Sequence, residues 1–280
     1  MIQKRNLVPE TPPLHVENWP WPVKIFTLGR FEIVRDGKPI HFTGKVQKKP
    51  LEMLRVLISF GSKDVGEERI IDALWPEADG DVAHISLRTT VHRLRQLIGN
   101  DGALQFSEGR ISLDPRYCWV DAWSFLRIAG EAEDLWKRGH CGKDTDADND
   151  HIRDAIAVSE KAVNLYKGDF LSGDSKYPWA FPIRERLKSK FIRLIGRLGR
   201  CHEHSEQWDK AIECYQRAIE EDSLQEEFYQ KLMICYQRCG KRAAALTTYK
   251  RCRDELSSAL GIEPSRETLR VYEAVLNEGR

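Results

Sequence analysis

The sequence has no long apolar segment that could anchor it in a membrane. No run approaches the ~18 to 20 apolar residues that a transmembrane helix needs. Residues 1–6 lead into no signal-peptide core. We therefore expect a cytoplasmic protein without a membrane partner.

Disulfide and metal-binding patterns are also missing. The seven cysteines are an odd number and form no C-x-x-C pair, which argues against a disulfide framework and against a zinc knuckle. One compact group, Cys201-His202-Glu203-His204, would point its neighbouring side chains in different directions on a helix. We predict no bound metal and no cofactor.

Motifs of known enzyme classes are absent as well. Residues 61–66 begin like a phosphate-binding loop, but Glu67 stands where that loop needs a lysine. The chain has no G-x-S-x-G or H-E-x-x-H motif, and no nucleophile is paired with a base. We predict that the protein is not an enzyme.

Overall charge gives no sign of a nucleic-acid ligand, because 44 Lys and Arg residues balance 43 Asp and Glu residues. Any such function must follow from where the charges lie. With 280 residues, 41% of them hydrophobic, the chain is long and apolar enough for two globular domains. Prolines crowd residues 1–22, and we assign that segment to an arm or linker.

Residues 23–121 show strand and helix signals in the order of a winged helix. Asp36-Gly37 after a β-rich run indicates a first hairpin, and Asp64 with Glu67 suggests a capping box before the second helix. The predicted strands are 23–28, 31–34, 39–42, 104–106 and 111–113. The predicted helices are 49–60, a segment around 70–75, and 82–98.

The third helix, residues 82–98, combines an apolar stripe with an acid-free polar face. The stripe consists of Ala83, Leu87, Val91, Leu94 and Ile98. The opposite face would present Ile85, Thr89, His92, Arg93 and Gln96, flanked by Arg88 and Arg95. Such a helix fits the major groove of DNA, where Arg, Gln and Thr side chains contact base edges. We assign base readout to this face; the alternative is a solvated surface helix.

Further positive charges near this helix would contact the DNA backbone. Arg110 lies near the tip of the second hairpin, where it suits a phosphate or the minor groove. Lys45, Lys48 and Lys49 precede the first helix and would add salt-dependent affinity without sequence information. A solvated charge run is an equally good interpretation of these three lysines.

From residue 123 onward the chain lacks convincing strands, and part of it repeats. Thirty-four residues is the period of tetratricopeptide repeats, each a helix–turn–helix unit. At that offset Ile195 aligns with Tyr229, Leu198 with Leu232, Cys201 with Cys235, Ala211 with Ala245, Ile212 with Leu246, and Tyr215 with Tyr249. The polar tract at 139–150 predicts a long or disordered loop. The predicted fold class is an α+β winged-helix DNA-binding domain at 23–121, followed by an all-α tetratricopeptide-like helical-repeat domain at 122–280.

Several motifs resemble those of the Streptomyces antibiotic regulatory protein family. They are IIDALWP at 70–76, VHRLRQLIG at 91–99, ELSSALGIEPS at 255–265, and YKGDFL at 166–171 followed by Trp179. By this resemblance, residues 23–121 correspond to an OmpR-type winged helix and residues 122–280 to the bacterial transcriptional activator domain.

The resemblance implies binding to double-stranded promoter DNA, often as a homodimer on direct repeats, and activation through contact with RNA polymerase. The segment LRTT at 87–90 and the insertion at 139–150 depart from the family pattern. The family's target sequence is therefore not carried over.

Two other interpretations stay open. The protein could be a tetratricopeptide adaptor whose basic helix is only surface, because the total charge is balanced. It could also be the output part of a larger signal-sensing regulator, with the proline-rich arm marking the attachment of a further domain. Salt-dependent DNA binding separates the regulator from the adaptor.

Overall fold

The computed structural model describes residues 19–41, 48–138, 146–173 and 177–277. These residues form two compact units, and residues 165–187 group with the N-terminal part of the chain. The first unit extends to Arg127 and includes Leu165–Leu187, whereas the second comprises Ile128–Asn164 and the residues from Lys188 onward. This grouping does not test the limits 23–121 and 122–280, which stay a prediction. Most of the predicted arm at 1–22 lies outside the described residues.

The strands all belong to the first unit, and the helices continue into the second. The strands are β1 (Val23–Phe26), β2 (Glu32–Arg35), β3 (Lys38–Pro39), β4 (Val65–Gly66), β5 (Leu104–Ser107), β6 (Arg110–Leu113) and β7 (Cys118–Val120). The helices are α1 (Lys48–Ser59), α2 (Glu67–Leu74), α3 (Gly80–Ile98), α4 (Asp121–Arg138), α5 (Asp146–Leu165), α6 (Phe181–His204), α7 (Trp208–Glu221), α8 (Glu226–Arg238), α9 (Arg242–Leu260) and α10 (Arg266–Asn277).

The first sheet has the strand order β3-β2-β1-β7. Its predicted hairpin is confirmed: Asp36 and Gly37 both have positive φ angles, as a tight turn between twisted strands requires. The return strand is shorter than expected, since only Lys38–Pro39 pairs with β2. β7 was not predicted, because its three residues are all buried and show no alternation. It pairs in parallel with β1 and so connects the closing end of the winged helix to its opening strand.

The second sheet has the order β4-β6-β5 and forms the wing. Its hairpin is confirmed, with Glu108 and Gly109 at positive φ in the turn. The short strand β4 was missed, and it pairs Val65 with Ile111. This pairing joins the segment that precedes α2 to the wing.

The predicted capping box is wrong. Gly66 is the N-cap of α2, and no side chain caps that helix end. Asp64 lies in the left-handed region with a φ of 51°, and its N–H donates to Ser112 Oγ at 2.8 Å. Because the β4–β6 pairing directs the backbone toward the wing, the Asp64 side chain does not reach the first turn of α2.

The helices α1, α2 and α3 pack together as the core of the winged helix. The predicted stripe on α3 is confirmed, and each of its members is buried: Ala83, Leu87, Val91, Leu94 and Ile98. The apolar face of α1 is buried as expected, and it also includes Met53. Gly99 ends α3 in the left-handed conformation typical of a helix C-cap.

Residues 165–187 close the first unit by backbone hydrogen bonds to the end of β1. The N–H of Gly29 donates to the Asp169 carbonyl at 3.0 Å, and the N–H of Leu171 donates to the Thr27 carbonyl at 2.7 Å. The Tyr177 hydroxyl donates to Glu52 Oε1 at 2.7 Å. The contact of residues 165–187 with the end of β1 was not predicted, because the isolated bridge between Leu28 and Phe170 leaves no strand-length pattern.

Asp121, at the start of α4, fixes the same end of β1. Its buried carboxylate accepts hydrogen bonds from the Thr27 N–H at 2.8 Å, the Leu28 N–H at 2.9 Å and the Ala122 N–H at 2.7 Å. The Thr27 hydroxyl also donates, at 2.6 Å. Burial raises the pKa of Asp121, and these hydrogen bonds counteract the rise only in part. Such a site is satisfied only when all of its donors are in place.

The second unit contains the predicted helical repeat. The pairs α6–α7 and α8–α9 are the two helix–turn–helix units, and Ala211 and Ala245 are fully buried at equivalent positions. The aligned residues Ile195 and Tyr229 are buried in the same way. The repeat is therefore confirmed by both the helix bounds and the burial.

The predicted loop at 139–150 is wrong for its last residues, because α5 begins at Asp146. Aspartate is favourable near a helix N-terminus, where it complements the helix dipole, so a polar Asp-rich tract does not by itself exclude a helix. The rest of that loop, residues 139–145, lies outside the described residues. Among the helices described, none is long and apolar enough to cross a lipid bilayer.

Candidate nucleic-acid interface

The outward face of α3 carries most of the predicted DNA contacts. Arg88, Thr89 and His92 are exposed, as are Arg93 and Gln96. Since Leu87, Val91 and Leu94 are buried on the opposite side, the polar residues project away from the core. The structure thus brings these five predicted residues together on one solvent-facing surface, which we call the α3 face.

Hydrogen bonds on the α3 face run along the helix. The Thr89 hydroxyl donates to the Ile85 carbonyl at 2.9 Å, and Gln96 Nε2 lies 3.0 Å from His92 Nε2. Within the described part of the chain, Arg88 and Arg93 form no hydrogen bond or ion pair. Their guanidinium groups are therefore available to an external anion or base edge.

Two exposed apolar residues extend the α3 face toward its N-terminus. Ile85 is 66% exposed and Val82 is 57% exposed. Ile85 was expected on this face, whereas Val82 was missed. Its signal in the sequence is its position off the buried stripe, one residue before Ala83.

Arg95, on α3, and Arg110, on the wing, already contact protein atoms. Arg95 is half-buried, and its Nε donates to the Leu104 carbonyl at 3.1 Å. Arg110 is exposed at the start of β6, and its Nη1 donates to the Asp64 carbonyl at 3.1 Å. A guanidinium carries five N–H donors, so both residues retain donors for a further contact.

The two predicted lysines that are described differ in their surroundings. Lys48 is exposed at the first position of α1. Lys49 Nζ donates to the Leu74 carbonyl at 2.8 Å and lies 3.1 Å from Glu52 Oε2. Lys49 thereby connects α1 to the end of α2. Lys45 lies outside the described residues.

His84, on the side of α3, faces two carboxylates. Its Nε2 lies 3.3 Å from Glu68 Oε1, and its Nδ1 lies 3.7 Å from Glu67 Oε2. Among the described residues these three could share a metal ion, since their ligand atoms lie within 4.8 Å of one another. The Glu68 side chain is 75% exposed, however, and nothing else at this place distinguishes a metal site from a surface ion pair.

The first unit has a three-helix core and a wing that follows α3 in the chain, and the second unit has a tetratricopeptide-like repeat. Together they define a winged-helix fold joined to a helical-repeat domain. The family model of the bacterial transcriptional activator domain matches residues 126–276. The chain belongs to that family. It is similar to the Streptomyces antibiotic regulatory proteins, a family of transcriptional regulators rather than of enzymes.

Two relatives are similar over most of this chain. The regulatory protein AfsR of Streptomyces griseus is 26% identical over 247 residues, which cover 86% of this chain and 23% of the relative. AfsR of Streptomyces coelicolor is 28% identical over 244 residues, which cover 85% and 22% respectively. The chain therefore matches less than a quarter of the length of each relative.

A solved structure supports the fold. Mycobacterium tuberculosis EmbR, determined in complex with a low-affinity phosphopeptide, aligns with a TM-score of 0.67 at 20% sequence identity. The alignment covers 92% of this chain and 65% of EmbR. At this identity the similarity concerns the fold alone.

Proposed function

We propose that the protein binds double-stranded promoter DNA sequence-specifically, with the α3 face in the major groove, and that it activates transcription from there. The observation that carries the proposal is the exposure of Arg88 and Arg93 without a described protein partner, on a helix whose other side is anchored in the core. A helix of this kind presents side chains to base edges while its scaffold contacts the backbone.

The chemistry of the α3 face suits base readout. Arginine forms two hydrogen bonds with guanine, glutamine pairs with adenine in the same way, and an apolar group contacts the thymine methyl. Arg93, Gln96 and Ile85 supply these three kinds of contact. His92 is hydrogen-bonded to Gln96, which would hold the amide in a defined orientation for an adenine.

Residues around the α3 face would contact the phosphates. Arg110 projects from the wing, and the Arg95 donors left over from its bond to Leu104 lie at the edge of the groove-facing helix. Lys48 is better placed than Lys49, since the Lys49 ammonium already holds two protein oxygens. These contacts would set the position and the salt dependence of binding but not its sequence preference.

The second unit would supply the protein contacts of the regulator. Stacked helix pairs create extended surfaces that suit protein partners, and its membership of the activator-domain family makes RNA polymerase or a second copy of this chain the partners that we propose. A homodimer on direct repeats would place two α3 helices on one face of the DNA, about one helical turn apart.

The test begins with selection of bound fragments from genomic DNA, followed by anisotropy titrations on the strongest fragment. We expect Arg93→Ala to weaken specific binding by about 1 to 3 kcal/mol, as for the loss of a good base contact. Arg238→Ala is the matched control, because Arg238 is also exposed, on α8 in the second unit. Wild-type affinity should fall with salt, by about 0.9 in log K per phosphate neutralised.

Two results would contradict the proposal. Equal affinities for the Arg93→Ala and Arg238→Ala variants would remove the α3 face from the DNA interface. Failure to bind DNA at any salt concentration would favour the adaptor interpretation instead.

A further inference from the structure

A cavity of about 490 Å³ opens on the second unit between α4, α5 and α6. Cavities that hold small organic ligands range from about 300 to 1,000 Å³ and are lined mainly by apolar side chains with a few polar groups. This cavity falls within that range. Neither the predicted DNA interface nor the helical repeat accounts for it.

The floor of the cavity is apolar. Ile152 and Ile156 lie one turn apart on α5, and Trp136 faces them from α4. The Trp136 indole N–H donates to Ser159 Oγ at 3.0 Å, so the polar edge of the ring is already satisfied. Trp136 itself is only 5% exposed, so the half-buried Ile152 and Ile156 provide most of the apolar surface that a ligand can contact.

The rim of the cavity is basic. Arg197, Arg200 and His204 follow one another at spacings of three and four residues on α6, which places them on one face of that helix. Arg197 and His204 form no hydrogen bond or ion pair with any other described residue. Arg200 pairs with Glu227 at 3.3 Å, but both side chains are about half exposed, and an exchange for another anion there would cost little.

No acidic side chain is among the residues that line this cavity in the described part of the chain. A cationic rim over an apolar floor selects against cationic ligands. It also selects against small inorganic anions, because these would leave the floor solvated. A ligand that fits both surfaces has an apolar body and one anionic group at its end.

We propose that this cavity binds a small amphipathic carboxylic acid. The hydrocarbon body packs on Trp136, Ile152 and Ile156, and the carboxylate accepts hydrogen bonds from Arg197 and from its neighbours on the rim. A guanidinium and a carboxylate match in shape as well as in charge. This ligand site is independent of DNA binding by α3.

Decanoate is the first probe, and decyltrimethylammonium is its matched control with the same chain and the opposite charge. Calorimetric titration of the full chain should show saturable binding of decanoate and at least tenfold weaker binding of the cation. Arg197→Ala should weaken decanoate binding by roughly tenfold, since it removes a charge-assisted hydrogen bond. Arg238→Ala, which removes an equal charge far along the chain, should leave it unchanged.

Cys201 provides a second readout from inside the cavity. Its side chain is half-buried among the lining residues, and burial raises the pKa of its thiol against the opposing effect of Arg200 and Arg197. Bound decanoate should slow the alkylation of Cys201 by N-ethylmaleimide, measured by peptide mass spectrometry. Alkylation of Cys239, the residue that follows α8, should not change.

Filling the cavity is the complementary test. Ile156→Trp should abolish the protection of Cys201 by decanoate while the far-ultraviolet circular dichroism stays that of wild type. If that variant does not fold, Arg197→Ala decides alone. Equal binding of decanoate and the cation, no binding of decanoate, or unchanged affinity in Arg197→Ala would each overturn the proposal.

Discussion

In the second unit, charged side chains bridge neighbouring helices, whereas on α3 of the first unit they project into solvent. Lys190 Nζ lies 2.7 Å from Glu133 Oε2, joining α6 to α4, and Lys231 Nζ lies 3.1 Å from Glu203 Oε2, joining α8 to α6. Arg88 and Arg93 have no such partner among the described residues. Charged side chains thus join helices in the second unit, whereas those of Arg88 and Arg93 remain available for a ligand.

The two units also differ in how they are closed. The first depends on backbone groups, with Asp121 and residues 165–187 satisfying the end of β1. The second depends on side chains that fit closely between helices, as where Gly199 lies against the Tyr215 ring. A substituted glycine should therefore clash with backbone atoms in the first unit and with side-chain atoms in the second.

The largest effect is expected at the backbone contact of the first unit. A Cβ on Gly29 would lie 2.5 Å from the Lys167 carbonyl oxygen, and the residue has a φ of 77°. Gly29→Ala should destabilise the first unit by about 3 kcal/mol, from overpacking together with left-handed strain. Hydrogen exchange of the Leu171 amide, which donates to Thr27, measures the effect.

Gly37→Ala is the control for Gly29→Ala. Gly37 has nearly the same φ, 78°, but no atom lies within 4 Å of its added Cβ. This variant should be destabilised only by the left-handed backbone strain, which costs about 1 kcal/mol. Equal losses in the two variants would show that the approach of residues 165–187 to Gly29 contributes nothing.

Smaller effects on stability are expected in the helices of the second unit, and they should have opposite signs at two glycines. A Cβ on Gly199 would lie 2.6 Å from the Tyr215 ring, whereas on Gly130 it would meet nothing within 4 Å. Gly199→Ala should cost about 1 to 3 kcal/mol. Gly130→Ala should stabilise α4 by roughly 0.5 to 1 kcal/mol, because alanine favours the helix.

Hydrogen exchange of the α7 and α4 amides would report these two opposite shifts. A stabilising Gly199→Ala would mean that the Tyr215 ring moves aside at no cost. In that case, close side-chain packing would not be what holds the helices of the second unit together.

The smallest effect concerns Glu226 at the start of α8. Its Oε2 accepts hydrogen bonds from the Ser265 N–H and hydroxyl, both at 2.8 Å, and from the Thr268 hydroxyl. Burial tends to raise the pKa of Glu226, but the hydrogen bonds outweigh it and hold that pKa below its usual value. Glu226→Gln should cost about 1 kcal/mol or less at neutral pH, because solvent screens this half-exposed site.

The stability that Glu226 contributes should depend on pH. A carboxyl whose pKa is lowered by folding stabilises the fold above its unfolded-state pKa, and it loses this contribution as the pH falls through its folded-state pKa. Wild type and Glu226→Gln should therefore converge in acid when α10 amide exchange is compared. A pH-independent difference would show that the contact acts through packing rather than through the charge.

Local pattern was enough to predict the three helices of the winged helix, the two hairpins and the helical repeat. The stripe on α3 has a helical period, the Asp36-Gly37 and Glu108-Gly109 turns have the residues that tight hairpins demand, and the repeat in the second unit has the spacing of stacked helix pairs. The same pattern places Thr89, Arg93 and Gln96 opposite the stripe. Each of these features depends on residues close in sequence or on a fixed period, which sequence alone records.

Long-range contacts decided what local pattern did not determine. β7 is too short to show a period, and the capping box failed because pairing of β4 with β6 directs Asp64 elsewhere. Lys49 and Arg95 looked like free cations, but α2 and β5 supply carbonyl oxygens that engage them. Whether a charge is paired depends on what folding brings within a few ångströms, and only the tertiary structure contains that distance.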